Sequence, residues 1–216
     1  GKSWGWSDVA DLNYDNQGLR AAMTADMLHW IKNENIDGFR CDVAGNVPLD
    51  YWQQAIPQLR KEKNIFMLAE AWEPELLKEG LFDMAYGWEA HHTMNRIAQG
   101  KNTVKDWDKF MAENDIKYSS DDILMNFVDN HDENSWNGTI RGRLGKGEEA
   151  MTALSYVMPG MPLIYSGNEY GLNHSLKFFE KDSIPKTKGK DWELRAKLGK
   201  LKTENTALKK KKNRAK

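Results

Sequence analysis

At 216 residues, with 40% hydrophobic and 29% charged residues, the chain is long enough for one good core and has the composition of an ordinary globular protein. Thirty-one basic residues balance 32 acidic ones, so no overall field favours nucleic acid or an anionic membrane surface. No run approaches the roughly 18 consecutive apolar residues of a membrane span, and the single cysteine, Cys41, excludes an internal disulfide.

Residues 1–16 are polar and turn-rich. Leu19, Ala22, Met23, Met27, Trp30 and Ile31 then recur at the spacing of a helix. Residues 36–43 form a short apolar run, opened by Asp37-Gly38 and closed by Gly45-Asn46, which predicts a buried strand with Cys41 as a small buried thiol. A helix is expected over 51–60 despite Pro57, a second buried strand over 64–71, and a helical turn from Leu76. Residues 81–86 read as a weaker third strand, followed by helices over 91–99 and 104–114. A fourth strand over 123–128, a helix over 148–157, a fifth strand over 161–165 and an amphipathic helix over 191–204 complete the series. Lys209 to Lys212 read as a solvated end.

This alternation predicts a parallel α/β sheet with right-handed crossovers. A closed barrel of this type needs eight strands and ~250 residues, so five strands predict an incomplete barrel. An open doubly wound sheet is the competing architecture, weakened because no Gly-rich phosphate loop follows the first strand. Residues 1–208 are assigned to one domain and 209–216 to a basic tail.

Three of the expected strands end in an acid: Asp42 in Gly38-Phe-Arg-Cys-Asp-Val, Glu70 in Met67-Leu-Ala-Glu-Ala-Trp, and Asp132 in Phe127-Val-Asp-Asn-His-Asp. Acids at strand C-termini gather at the rim where such barrels carry out catalysis, and paired carboxylates are the machinery of glycoside hydrolysis. Arg40, two residues before Asp42 on the same strand face, favours an ionised nucleophile there. Apolar neighbours around Glu70 favour a protonated acid. Nine tryptophans are many for this length. Trp4, Trp6, Trp72 and Trp136 fall in expected loops; a buried anchor is the commoner role for any one of them, and indoles exposed at a cleft would suit the C–H faces of sugars. A lone Arg-x-Asp is more often a structural ion pair than a nucleophile; the three motifs together reverse that reading. His131 and Asp132 with His91-His92 raise a metallohydrolase alternative, but no His-x-His strand or His-Glu-x-x-His helix accompanies them. Asp129 and Glu133 read as solvated or packing residues.

These motifs, in this order, resemble the second, third and fourth signature regions of the α-amylase superfamily of retaining glycoside hydrolases. Val9-Ala-Asp-Leu-Asn, Gly160-Met-Pro-Leu-Ile-Tyr-Ser-Gly-Asn-Glu and Leu198-Gly-Lys-Leu-Lys-Thr-Glu-Asn extend the resemblance over nearly the whole chain. It implies strands four to eight of a (β/α)8 barrel, with Asp42 as nucleophile, Glu70 as general acid/base and Asp132 as the third carboxylate. Arg40, Asn130, His131 and Trp72 are implied as substrate-binding residues. The implied substrate is an α-1,4-glucan, cleaved by double displacement. Transglycosylation on the same machinery and a non-catalytic binding or partner domain are the alternatives.

The family's Lys-His pair after the nucleophile is replaced here by Gly45-Asn46, which bears on the aglycone side. Its Asp-x-x-x-Asn-His stretch, which supplies a histidine and a structural-calcium ligand, is not found and is expected upstream of Gly1, where an export signal could also lie. The N-terminus itself has no signal-peptide h-region. The compartment is left open, with extracellular or cell-envelope sites suiting a polysaccharide hydrolase. No cofactor is needed for the chemistry and no metal site is assigned, with structural calcium reserved for the full-length protein. The piece alone is expected to be inactive, and a homodimer is expected to cover the open barrel edge.

Overall fold

The computed structural model describes residues 5–209; Trp4 and the tail beyond Lys209 lie outside the described residues. By internal packing the chain divides into two compact units, residues 1–85 and 86–216.

In the first unit, α1 (Gln17–Asn33) starts where the Asn16 side chain accepts hydrogen bonds from the backbone N–H groups of Gly18 and Leu19 at 2.8 and 3.2 Å. Strand β1 (Gly38–Cys41) follows, then α2 (Leu49–Glu62), β2 (Phe66–Ala69) and β3 (Met84–Tyr86), the last crossing the boundary between units. Helix α2 buries Tyr51, Trp52, Ala55, Ile56 and Leu59, a single stripe at helical spacing, and it tolerates Pro57 in its interior. Arg60 near its end ties the sheet together: it donates to the Ile65 and Leu81 carbonyls at 2.8 and 2.7 Å and pairs with Asp83 at 2.9 Å.

The β1–β2 pairing is parallel, with Arg40 opposite Leu68 and Cys41 opposite Ala69. Gly38 makes this approach feasible. A Cβ there would lie 1.8 Å from the Phe66 carbonyl oxygen, and its φ of +152° disfavours any other residue. β1 is only half-buried, against the expectation of a fully buried strand, and Cys41 is half-buried with it. The cause is topological: among the described residues β1 pairs with β2 alone, so its other edge is open.

The second unit contains α3 (Trp88–Ala98), α4 (Val104–Lys117), β4 (Leu124–Asn126), α5 (Ile140–Leu144), α6 (Glu148–Val157), β5 (Met161–Pro162), α7 (Lys190–Glu204) and α8 (Thr206–Lys209). A capping box between Thr103 and Asp106 starts α4. Met94, Val128, Ile140 and Leu144 form its main core cluster. β4 and β5 are parallel, and Gly160 repeats the device of Gly38: a Cβ there would sit 2.2 Å from the Leu124 carbonyl oxygen. β5 is shorter than expected: its ladder closes with the bond from the Leu163 N–H to the Asn126 carbonyl at 2.8 Å, where β4 itself ends. Helix α7, expected to be amphipathic, fully buries only Arg195 and Leu198.

Strand order follows the sequence, β1-β2-β3-β4-β5. A doubly wound sheet would reverse its order at a switch point; this progression is that of a barrel. No described helix is long and apolar enough to cross a membrane.

Replacing Gly38 with Ala should destabilise the protein by roughly 2–4 kcal/mol, since strain and overlap with backbone have no side chain to give way. Gly199→Ala, in open space within α7, should instead add about 0.5–1 kcal/mol. Urea denaturation of both variants reads the difference, and equal stabilities would contradict the tight β1–β2 approach.

Candidate active site

Both acids of the first unit stand one residue past a strand. β1 ends at Cys41, and Asp42 projects from the turn that follows; β2 ends at Ala69, and Glu70 leads into the next loop. The Arg40 guanidinium pairs with Asp42 through Nη1 and with Glu70 through Nη2, the latter at 3.0 Å. Backbone bonds lock the two tips level: the Glu70 N–H donates to the Cys41 carbonyl and the Ala44 N–H to the Glu70 carbonyl, each at 3.0 Å.

Val43 takes a left-handed conformation, φ 43° and ψ 45°, which is strained for a β-branched residue. The strain aims its N–H at Glu70 Oε2, 2.8 Å away. Nothing in the sequence signalled this donor. Burial raises the Glu70 pKa, the nearby Asp42 charge adds to the rise, and the Val43 N–H and Arg40 oppose it. Asp42 is mostly exposed, its side chain 68% accessible. Trp72, just beyond Glu70, is also exposed, and its N–H donates to Glu73 Oε2 at 3.0 Å. The Cys41 thiol is pushed up to about 12 by burial, which keeps it protonated and unreactive.

In the second unit, His131 and Asp132 sit together on the loop after β4, with 3.4 Å between Nε2 and Oδ2. Both are partly open to solvent. Asn130, given a substrate-binding role by the resemblance, is buried. It is 1% exposed, and its Oδ1 accepts from the Glu133 N–H at 2.8 Å, capping the turn that follows. Its Nδ2 is buried with no hydrogen-bond partner.

The loop is held by Asp129, Glu133 and Arg143. Asp129 is buried, paired with Arg143 at 2.8 Å, and accepts from Asn168 at 3.1 Å. Arg143 also donates to the carbonyls of Val128 and Gly138 and to Asn95 Oδ1. One guanidinium thus fixes both ends of the segment bearing Asp132. Burial raises the Asp129 pKa against the pull of Arg143 and Asn168. Glu133 is also buried, which opposes ionisation, but hydrogen bonds from His91 and Asn137 and the charge of Arg143 outweigh this and hold its pKa low. The packing reading of Asp129 and Glu133 therefore holds, and the solvated one does not. No local pattern pointed to Arg143, which lies 14 residues from Asp129 in sequence. Among the described residues no group of three or more His, Cys, Asp or Glu side chains is arranged to hold a metal ion.

A parallel α/β sheet in barrel order, with an arginine-bridged acid pair at adjacent strand tips, defines the class of barrel domains that work at their C-terminal rim. The chain belongs to the alpha-amylase family: the model of the alpha-amylase catalytic domain matches residues 4–212. It is 26% identical over 168 residues to the alpha-amylase MalA of Haloarcula japonica, covering 77% of this chain and 25% of the relative. It is 27% identical to the intracellular maltogenic amylase of Bacillus subtilis, covering 77% of this chain and 29% of that protein. Among solved structures, the noncanonic maltogenic alpha-amylase AmyB of Thermotoga neapolitana superposes with a TM-score of 0.83 at 30% identity, covering 95% of this chain and 48% of the other. The chain therefore spans between a quarter and a half of the length of these proteins.

The Glu70 shift fixes the sign of a pH effect. A carboxyl whose folded pKa lies above its unfolded value contributes stability fully below the ordinary 4.5 and loses it as pH rises through the folded value. Glu70→Gln cannot ionise, so relative stability should move in the variant's favour as pH climbs from about 4 to about 8. Urea denaturation across that range measures it; a pH-independent difference would contradict the assigned environment.

Proposed function

We propose that this chain is the acid-bearing part of a retaining glycoside hydrolase that cleaves α-1,4-glucans, starch and maltooligosaccharides among them, by double displacement. The observation that carries this reading is the single guanidinium shared by Asp42 and Glu70. One guanidinium bonded to both keeps the two carboxyls near each other. That suits the ~5–5.5 Å separation of retaining enzymes and not the ~6.5–9.5 Å of inverting ones.

In this mechanism Asp42, its charge held by Arg40, attacks the anomeric carbon and forms a glycosyl ester. Glu70, whose raised pKa suits an acid, gives its proton to the departing glycosidic oxygen. Once deprotonated, Glu70 takes a proton from water, which attacks the ester and releases the sugar with its configuration retained. The family resemblance gives Asp132 and His131 the role of binding sugar hydroxyls and favouring a distorted ring. Trp72 offers an apolar face to a neighbouring unit. A structural calcium is proposed only for the longer polypeptide, and no step is routed through it.

Set in a complete eight-stranded barrel, Asp42→Asn should lower the rate on soluble starch about a thousandfold or more, with the protein still folded. Equal rates would remove the nucleophile assignment. The 216 residues by themselves should show little or no turnover, because five strands leave the rim incomplete.

The isolated chain should also self-associate. Among the described residues β1 and β5 each have one unpaired edge in the sheet, and an apolar hollow of about 930 Å³ lined by Phe110, Met111, Met158 and Met161 opens beside β5. A second copy would cover this surface in the isolated chain, as the remaining strands would in a whole barrel. Light scattering should report a dimer or larger species at micromolar concentration; a monodisperse monomer would contradict it.

A further inference from the structure

Single exposed aromatic side chains need no explanation; three in mutual contact beside a substrate-binding loop do. Trp136 is 61% exposed, Phe178 39% and Phe179 68%. Their rings touch in every combination: Trp136 to Phe178 at 5.2 Å between centroids, Phe178 to Phe179 at 4.9 Å, and Trp136 to Phe179 at 6.2 Å. His131, next to Asp132, stacks on Phe178 at 6.1 Å and 29°. The patch is thus continuous with the loop that carries the third acid.

The chain holds these rings in place with polar bonds and leaves their faces open. Glu133–Asn137 forms one wide π-type helical turn, a local irregularity common at functional sites, and this turn puts Trp136 outward. From the same turn, Asn134 accepts from the Leu176 N–H at 2.8 Å and donates to the His174 carbonyl at 3.2 Å, while Ser135 donates to the Leu176 carbonyl at 2.8 Å. Thr139, just after it, donates to Asn173 at 2.8 Å. Asp182 gathers the far side, accepting from the backbone N–H groups of Lys177 and Ser183 and bonding His174 at 2.9 Å. These bonds brace the segment bearing Phe178 and Phe179 against the turn bearing Trp136, without covering the rings.

We propose that Trp136, Phe178 and Phe179 form a stacking platform for an α-glucan chain, binding glucosyl units adjacent to the one held by His131 and Asp132. The proposal rests on the α-glucan reading given above and adds a specificity-determining surface to it. The C–H faces of glucose pack on aromatic planes, and the tilted rings, 43° between Trp136 and Phe178, suit a chain that turns from one unit to the next. A flat β-linked glucan would meet one ring and miss the other.

Calorimetric titration of the 216-residue chain tests this without turnover. The chain should bind maltoheptaose saturably and cellohexaose much more weakly. Trp136→Ala and Phe178→Ala should each weaken maltoheptaose binding about tenfold, whereas Trp30→Ala, an exposed indole on α1, should leave it unchanged. Trp136→Phe, which keeps a ring, should retain most of the affinity and guards against misfolding of the alanine variant. The proposal is overturned by absence of saturable binding, by unaltered affinity in both alanine variants, or by an equal loss in Trp30→Ala. It is also overturned if Trp136→Ala abolishes self-association while glucan affinity stays the same, which would make the patch an interface between copies. An active Asp42→Asn variant would sink the double-displacement chemistry and leave the platform standing; unaltered platform variants would do the reverse.

Discussion

Arg40 stands between two carboxylates from different strands, and the rest of the first unit is arranged so that it can. A cation there lets two acids approach that would otherwise repel, and it lets them remain chemically unequal. Asp42 is exposed beside the guanidinium, while Glu70 is withdrawn far enough for burial to favour its proton. That inequality depends on register. With Arg40 opposite Leu68 and Cys41 opposite Ala69, the next residues on both strands leave the sheet at one level. A slip of one residue would send one acid to the other face. Gly38 allows the strands their approach, and strained Val43 turns the chain so that its N–H meets Glu70.

The second unit secures its acid differently. Asp132 has no strand register to place it, since β4 ends at Asn126, so a network of buried charges does so. Arg143 and Asp129 are both almost fully buried, and a lone charge in such a place would be strongly unfavourable. Paired with each other, with Asn168 and with two carbonyls, they fix the loop's beginning and end. Removing either partner would leave the other uncompensated, at a cost of about 3–5 kcal/mol. His91, sealed between the Phe127 carbonyl and Glu133, extends the network.

Strand-and-helix alternation and the three acid-ending motifs were legible in the sequence because they rest on period and on local runs. Helix α6 matches its expected span, and Pro57 did not break α2, whose buried stripe outweighed the missing donor. Strand lengths were overestimated, because apolar runs continue into the turns that carry the acids. Half-burial of β1 was not legible either, being a property of an unpaired edge and not of its composition. Within the site, the pairing of Asp42 with Arg40 followed from their two-residue spacing. Arg143 and the Phe178–Phe179 pair were invisible: their partners are remote in sequence and only the folded loops bring them together.

The sharpest test is to let a complete barrel containing this chain react with a slow-hydrolysing 5-fluoro-α-glucosyl fluoride and to locate the bound sugar by peptide mass spectrometry. One glucosyl unit in ester linkage at Asp42 is the predicted result. A sugar attached to any other residue, or turnover of the reagent with no adduct formed, would contradict the account.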